Sequence, residues 1–198
     1  MPRRRRMKVG GPVGLLVALL AAAVAYWAAR QPPQGVPTEA VIAGIADGDT
    51  VHIRANGVKH TLRLIGVDTP EVHESDKLER DVQRTGQDKR TIQALGKRAS
   101  DFTRRLCEGK TCRLEYDPAN TSGGHRDKYG RLLVYLFVPD ASGREVLVNA
   151  EILRNGYGAA MTAYPFDDGR KAEFRRLERE ARGARKGLWA EWKTPRGE

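Results

Sequence analysis

Three short runs hold the residue types that attack on a phosphodiester would need. They are Asp47-Gly48-Asp49-Thr50, Arg63 followed by Val67-Asp68-Thr69-Pro70-Glu71, and Asp127-Lys128-Tyr129-Gly130-Arg131. Asp49 and Asp68, with a backbone carbonyl such as that of Thr69, are hard oxygen donors suited to Ca²⁺. Arg63 and Arg131 can each fork onto phosphate oxygens, which lysine cannot do bidentately. Glu71 is a further carboxylate that could orient or deprotonate a water. Each run also has a bland reading: Asp-Gly-Asp is a common turn, and an arginine on a strand is usually a surface residue.

The elements that must position these groups are short strands. Residues 40–46 form an apolar run that ends at the Asp47-Gly48-Asp49 turn signal, and residues 50–54 alternate, with Val51 and Ile53 on one side. Asn56-Gly57 is a strong two-residue hairpin turn. Residues 58–67 predict a third strand, which lies beside the second, so Asp49 and Asp68 can converge on one rim. Strand parity sets a condition, because Arg63 and Asp68 fall on opposite faces of an ideal strand. They can meet only if the strand twists or ends before Asp68. Residues 110–116 and 131–138 supply two more strands.

Helical periodicity appears in residues 93–107, with Leu95, Ala99, Phe102 and Leu106 on one stripe, and in 148–154. It is clearest in 167–186, where Phe174, Leu177, Ala181, Ala184 and Leu188 keep register, and Gly187 is placed to stop the helix. Glutamates interleave the arginines of this helix, which reads as a solvated face. Residues 72–91 are polar, with no sustained apolar stripe, and are expected to form a mobile loop; the alternative is extra helix over 76–84. The fold class is α+β, with a small closed five-stranded barrel as the sheet.

The formal net charge of +10 invites a nucleic-acid partner. Six of those charges belong to Arg3, Arg4, Arg5, Arg6, Lys8 and Arg30 in residues 1–37, which contain no acid, so only four remain for the rest. Residues 12–29 carry no charge and follow the arginine cluster. Their length lies between a cleavable signal core of roughly 7–15 residues and a span of roughly 17–25. Ala23-Val24-Ala25 is a candidate cleavage motif, whereas Tyr26 and Trp27 suit a membrane boundary and favour an anchor. Either way the positive-inside bias sends the following domain across the membrane. The expected organisation is signal anchor or signal peptide with linker over 1–37, a globular domain over 38–192 and a tail over 193–198.

Cys107 and Cys112 could close a local disulfide across a turn in an exported domain; two unpaired thiols are the alternative. The four histidines lie in separate runs and are expected at exposed positions, with His73 and His125 near the cleft by adjacency.

Taken together in this order and spacing, the motifs resemble those of the staphylococcal nuclease (thermonuclease) family, from about Val41 to Trp189. Ala99-Ser100, Phe102-Thr103, Val148-Asn149 and Gly187-Leu188-Trp189 support the likeness. The resemblance implies an OB-fold barrel with three helices, and a Ca²⁺-dependent nuclease that acts on DNA and RNA and leaves 3′-phosphates. It implies Asp49, Asp68 and the Thr69 carbonyl as metal ligands, Glu71 as the general base, and Arg63 and Arg131 as the phosphate clamp. Lys128, Tyr129 and Tyr164 match substrate-contacting positions, and a monomer is expected. Thr162 stands where the family carries a second aromatic, and the connection after Glu71 is longer, with His73, Glu74, Asp76 and Glu79. The rivals are a catalytically inactive OB-fold module that only grips nucleic acid, and a structural envelope protein.

Overall fold

The computed structural model describes residues 14–21 and 36–191, which fall in two separate compact units. Residues 14–21 form a short helix, α1, whose Leu15, Leu16, Val17, Leu19 and Leu20 are exposed. Among the described residues no helix is long and apolar enough to cross a membrane. Ala23-Val24-Ala25, Tyr26 and Trp27 lie outside the described residues.

In the second unit β1 (Glu39–Asp47), β2 (Thr50–Ala55) and β3 (Val58–Leu64) form an antiparallel meander. The β2–β3 turn is Asn56-Gly57, both at positive φ (49° and 80°), which matches the right-handed twist of the strands. β5 (Thr111–Glu115) pairs with β1, and β6 (Leu132–Pro139) pairs with β5. A parallel pairing of β3 with β6 closes the five strands into a barrel. Two register shifts in β1 coil that strand, which lets it serve both β2 and β5. β7 (Glu145–Leu147) extends β6, and the two-residue β4 (Val67–Asp68) pairs with β8 (Ala159–Ala160). Alternate residues fill the interior: Val51, Ile53, Leu62, Leu64, Leu132, Val134 and Leu136 are fully or almost fully buried.

Four α-helices surround the barrel: α2 (Asp76–Thr85), α3 (Lys89–Cys107), α4 (Val148–Arg154) and α5 (Asp168–Gly183). The expected α+β barrel is therefore present, with one helix more than the resemblance implied. That helix is α2, in the segment expected to be a loop. Its ends specify it rather than an apolar stripe. Ser75 caps it by accepting from the Leu78 N–H (3.1 Å), a contact that contributes about 1 kcal/mol. Asp76 and Glu79 lie in the first turn, where the helix dipole favours acids, and Gly86 closes it in the left-handed conformation (φ 67°). Its single large apolar anchor, Leu78, is fully buried.

Three further expectations are corrected. Cys107 and Cys112 are free, buried thiols rather than a disulfide. Cys107 Sγ donates back along α3 to the Thr103 carbonyl (2.8 Å), and Cys112 Sγ to the Ala40 carbonyl (3.4 Å). Burial pushes them up to about 12 and about 11 respectively, so both are inert at neutral pH. His125 is not exposed: it is packed edge-on to Tyr116 (5.2 Å between centroids), and burial pushes its pKa down. The last long helix ends at Gly183, with Leu188 buried in a separate turn of 3₁₀ helix over Gly187–Ala190.

Candidate active site

β3 stops at Leu64, and the chain turns at Ile65-Gly66, where Gly66 has φ 75°. The parity condition on Arg63 is met by this break. From the end of β3 Arg63 reaches both carboxylates, with Nη2 3.2 Å from Asp49 Oδ2 and 3.6 Å from Asp68 Oδ1. Its Nη1 donates to the carbonyls of Val67 (2.7 Å) and Leu64 (3.1 Å), so the guanidinium also braces the turn that delivers Asp68. A second brace lies beneath the turn. The fully buried Asn149 donates to the Ile65 (2.8 Å) and Val134 (3.2 Å) carbonyls and accepts from Leu136 N–H (3.0 Å).

Asp49 is held from two sides. Thr50 Oγ1 donates to its Oδ1 (3.0 Å), and Thr69 N–H donates to its Oδ2 (2.9 Å). Burial raises the Asp49 pKa, but Arg63, Lys77 and these hydrogen bonds outweigh it and hold the group below its ordinary value. At Asp68 burial wins over Lys77, Asp49 adds repulsion, and the net direction is upward. Asp47 is also raised, first by burial and then by Glu71 and Asp49.

α3 is the platform beneath this rim. Thr103 Oγ1 donates to the Gly48 carbonyl (2.7 Å). A Cβ at Gly48 would lie 2.9 Å from Ala99 Cβ, and a Cβ at Gly96 would lie 2.6 Å from the Pro70 carbonyl oxygen and 2.7 Å from that of Glu71. Gly96, Ala99 and Thr103 thus form one face of small side chains, on which both the Asp47–Asp49 turn and the Thr69–Glu71 segment rest.

One residue in the rim had no signal in the sequence. Lys77, on the first turn of α2, puts Nζ 3.2 Å from Asp68 Oδ1, 3.1 Å from Glu71 Oε1 and 3.9 Å from Asp81 Oδ2. It also donates to the Thr69 carbonyl. Burial pushes its pKa down, but Asp68, Asp49, Glu71 and Asp81 more than offset this and keep it charged.

Arg131, Lys128 and Tyr129 form a second group. Arg131 is paired with Asp127 (Nε to Oδ2, 2.7 Å), and both cations lie over the exposed Tyr129 ring, Lys128 at 5.0 Å and Arg131 at 5.3 Å. The parallel register sets Leu133 opposite Arg63. Arg131, two residues earlier, therefore shares the face of the sheet on which Arg63 stands. No hydrogen bond or ion pair among the described residues joins this group to the carboxylate rim. Tyr164 is exposed on the segment after β8, and β8 itself pairs with Asp68 through Ala159. Thr162 is occupied: its Oγ1 accepts from Arg175 Nη2 (2.7 Å) and Nε (3.1 Å).

Among the described residues no three carboxylate, imidazole or thiolate side chains converge as a metal cluster. The donor set on the rim is instead two carboxylates and the Thr69 carbonyl, all hard oxygens, with Asp47 Oδ1 and Thr69 Oγ1 buried beside it and without a hydrogen-bond partner among the described residues. A cationic group, the Lys77 ammonium, already sits against three oxygens of this rim. The residues present therefore fit a hard cation.

Residues 61–191 match the staphylococcal nuclease homologue family, which is most of the chain. The chain belongs to the staphylococcal nuclease family. Endonuclease YncB of Bacillus subtilis is 33% identical over 146 residues, covering 73% of this chain and 58% of YncB. The thermonuclease of Staphylococcus hyicus is 30% identical over 146 residues, covering 74% of this chain and 72% of the relative. An uncharacterized protein of Methanocaldococcus jannaschii is 33% identical over 151 residues, covering 75% and 70%. Membership makes this staphylococcal nuclease homologue a phosphodiester hydrolase of the thermonuclease type.

Proposed function

We propose that the chain is an exported or membrane-anchored, Ca²⁺-dependent nuclease that hydrolyses DNA and RNA and leaves 3′-phosphates. The observation that carries this reading is the convergence of Asp49, Asp68, the Thr69 carbonyl, Glu71 and Arg63 on one rim. Asp49, Asp68 and Thr69 would hold the cation, which supplies charge neutralisation at a non-bridging phosphate oxygen. Glu71 orients the attacking water and accepts its proton. Arg63 stabilises negative charge that develops on the phosphate, and Arg131, on the same sheet face, binds the phosphate from the other side once it exchanges Asp127 for substrate. Water oxygen bonds to phosphorus, the bond to the 5′ oxygen breaks with that oxygen taking a proton from solvent to leave as a hydroxyl, and the phosphate stays on the 3′ side. Tyr129 and Tyr164, both exposed, offer flat surfaces for bases or sugars, and Lys128 adds a charge for the backbone. The arginine cluster and apolar segment before residue 38 support action outside the cytoplasm.

The test is the full-length protein on plasmid DNA and on RNA, with Ca²⁺ and then with chelator. Loss of either arginine or of Glu71 should lower the rate about 10²–10³-fold, and chelation should abolish cutting. Wild-type rates in both Glu71→Gln and Arg131→Ala, or undiminished cutting under chelation, would overturn the assignment.

A further inference from the structure

Lys77 stands at the centre of the carboxylate rim, and the reaction above gives it no part. Its ammonium contacts Asp68 Oδ1, the Thr69 carbonyl and Glu71 Oε1, which are oxygens that the reaction assigns to the cation and the water. An ammonium is a compact point charge with three donors, so it satisfies such an oxygen set as a small cation would. It cannot remain there beside a divalent ion, because the two would share ligands at distances where like charges repel strongly.

The helix that carries Lys77 provides another station. Asp81 lies one turn further along α2, its Oδ2 3.9 Å from Nζ, and its Oδ1 is already paired with Arg84 (2.9 Å). Residues four apart on a helix face each other, so the flexible lysine stem can move to Asp81 without moving the backbone. The helix itself is fixed independently of Lys77. Ser75 caps it, Leu78 is buried beneath it, and Glu79 pairs with Lys89 at the start of α3.

We propose that Lys77 is a tethered competitor for the cation site: its ammonium holds Asp68, Thr69 and Glu71 together in the metal-free rim and must swing to Asp81 before Ca²⁺ can bind. The rim then stays assembled without metal, and the Ca²⁺ concentration needed for activity is raised. This rests on the Ca²⁺ reading of the rim given above.

The experiment is calorimetric titration of CaCl₂ into the full-length protein without nucleic acid, comparing wild type with Lys77→Met, which keeps the stem and removes the charge. The variant should bind Ca²⁺ at least tenfold more tightly, about 1.4 kcal/mol. On the wild type, acylation of Lys77 by an amine-reactive ester, read by mass spectrometry against the exposed Lys97, should speed up several-fold when Ca²⁺ is added. This second measurement decides the matter if the variant does not fold. Equal or weaker Ca²⁺ binding by a folded Lys77→Met, or labelling that ignores Ca²⁺, overturns the role of Lys77 alone. No Ca²⁺ binding by either protein at millimolar concentration overturns the Ca²⁺ reading and this one with it. Cutting that persists in chelator and vanishes in Lys77→Met would make the ammonium the working cation, and also overturns the competitor.

Discussion

Replacing Gly96 by alanine should lower activity far more than stability, although the same exchange in an ordinary helix is stabilising. Alanine in a helix interior is favoured over glycine by about 1 kcal/mol. At Gly96 the new methyl would lie 2.6 Å from the Pro70 carbonyl oxygen and 2.7 Å from that of Glu71, whereas Cβ contacts essentially never fall below 3.0 Å. The obstacle is backbone, which cannot rotate aside as a side chain would. Either α3 or the Pro70–Glu71 segment must retreat by about 0.4 Å to reach that limit, and by about 0.8 Å to reach ordinary contact at 3.4 Å. Overpacking of this kind costs about 1–3 kcal/mol, so the propensity gain leaves a net loss of about 0–2 kcal/mol. Whichever side retreats, the seating of Glu71 on α3 changes, and a displacement near 1 Å at a reacting group can cost about 10² in rate. Urea unfolding followed by circular dichroism measures the first quantity, and initial rates on an oligonucleotide with saturating Ca²⁺ measure the second. A Gly96→Ala protein that is about 1 kcal/mol more stable and fully active would refute the claim that α3 sets the position of Glu71.

Other perturbations follow from the same contacts. Asn149→Ala leaves the Leu136 N–H and the Ile65 carbonyl without their amide partner, at about 1–3 kcal/mol for each buried group; a loss under about 1 kcal/mol in urea unfolding would contradict this account. Arg63→Lys keeps the charge but cannot bridge two carbonyls and two carboxylates, so both melting temperature and rate should fall, the rate by about 10²-fold or more. Unchanged values for both would reduce Arg63 to a point charge. His125 has a folded pKa below the ordinary value of about 6.5, chiefly through burial. The unfolded chain therefore binds more protons there, and the stability held above pH ~6.5 is lost as pH falls through that value toward the folded pKa. His125→Asn, which tolerates the positive φ of 56°, should flatten the fall in unfolding free energy between pH 7 and 5; parallel profiles for the two proteins would exclude His125 as a source.

Features whose physics is local are written in the order of residues alone. Alternation of Val51 and Ile53 with His52 specifies β2, Asn56-Gly57 specifies the hairpin, and the Phe174–Leu177–Ala181 stripe specifies α5, because each acts within a few residues. The carboxylates of the rim and Arg63 are legible as residue types in order, and strand parity requires only that the strand over residues 58–67 twist or end before Asp68. That it ends as early as Leu64, with the turn at Ile65-Gly66, is a feature of the folded structure. α2 was harder to read, since its caps and one buried leucine do the work of a missing apolar stripe. What stands between the carboxylates depends on contacts made across the fold. The Thr69–Asp49 bond joins residues 20 apart, and the Thr103–Gly48 bond joins residues 55 apart. Such contacts depend on how α3 docks against the barrel, which no local pattern encodes. The same docking sets Gly96 against the backbone of Glu71. A polar lysine in a polar segment gives no sign of its partner. Lys77 reaches the rim because the capped α2 packs on α3 and leaves one flexible stem facing four acids, where opposite charge and the exclusion of water hold it.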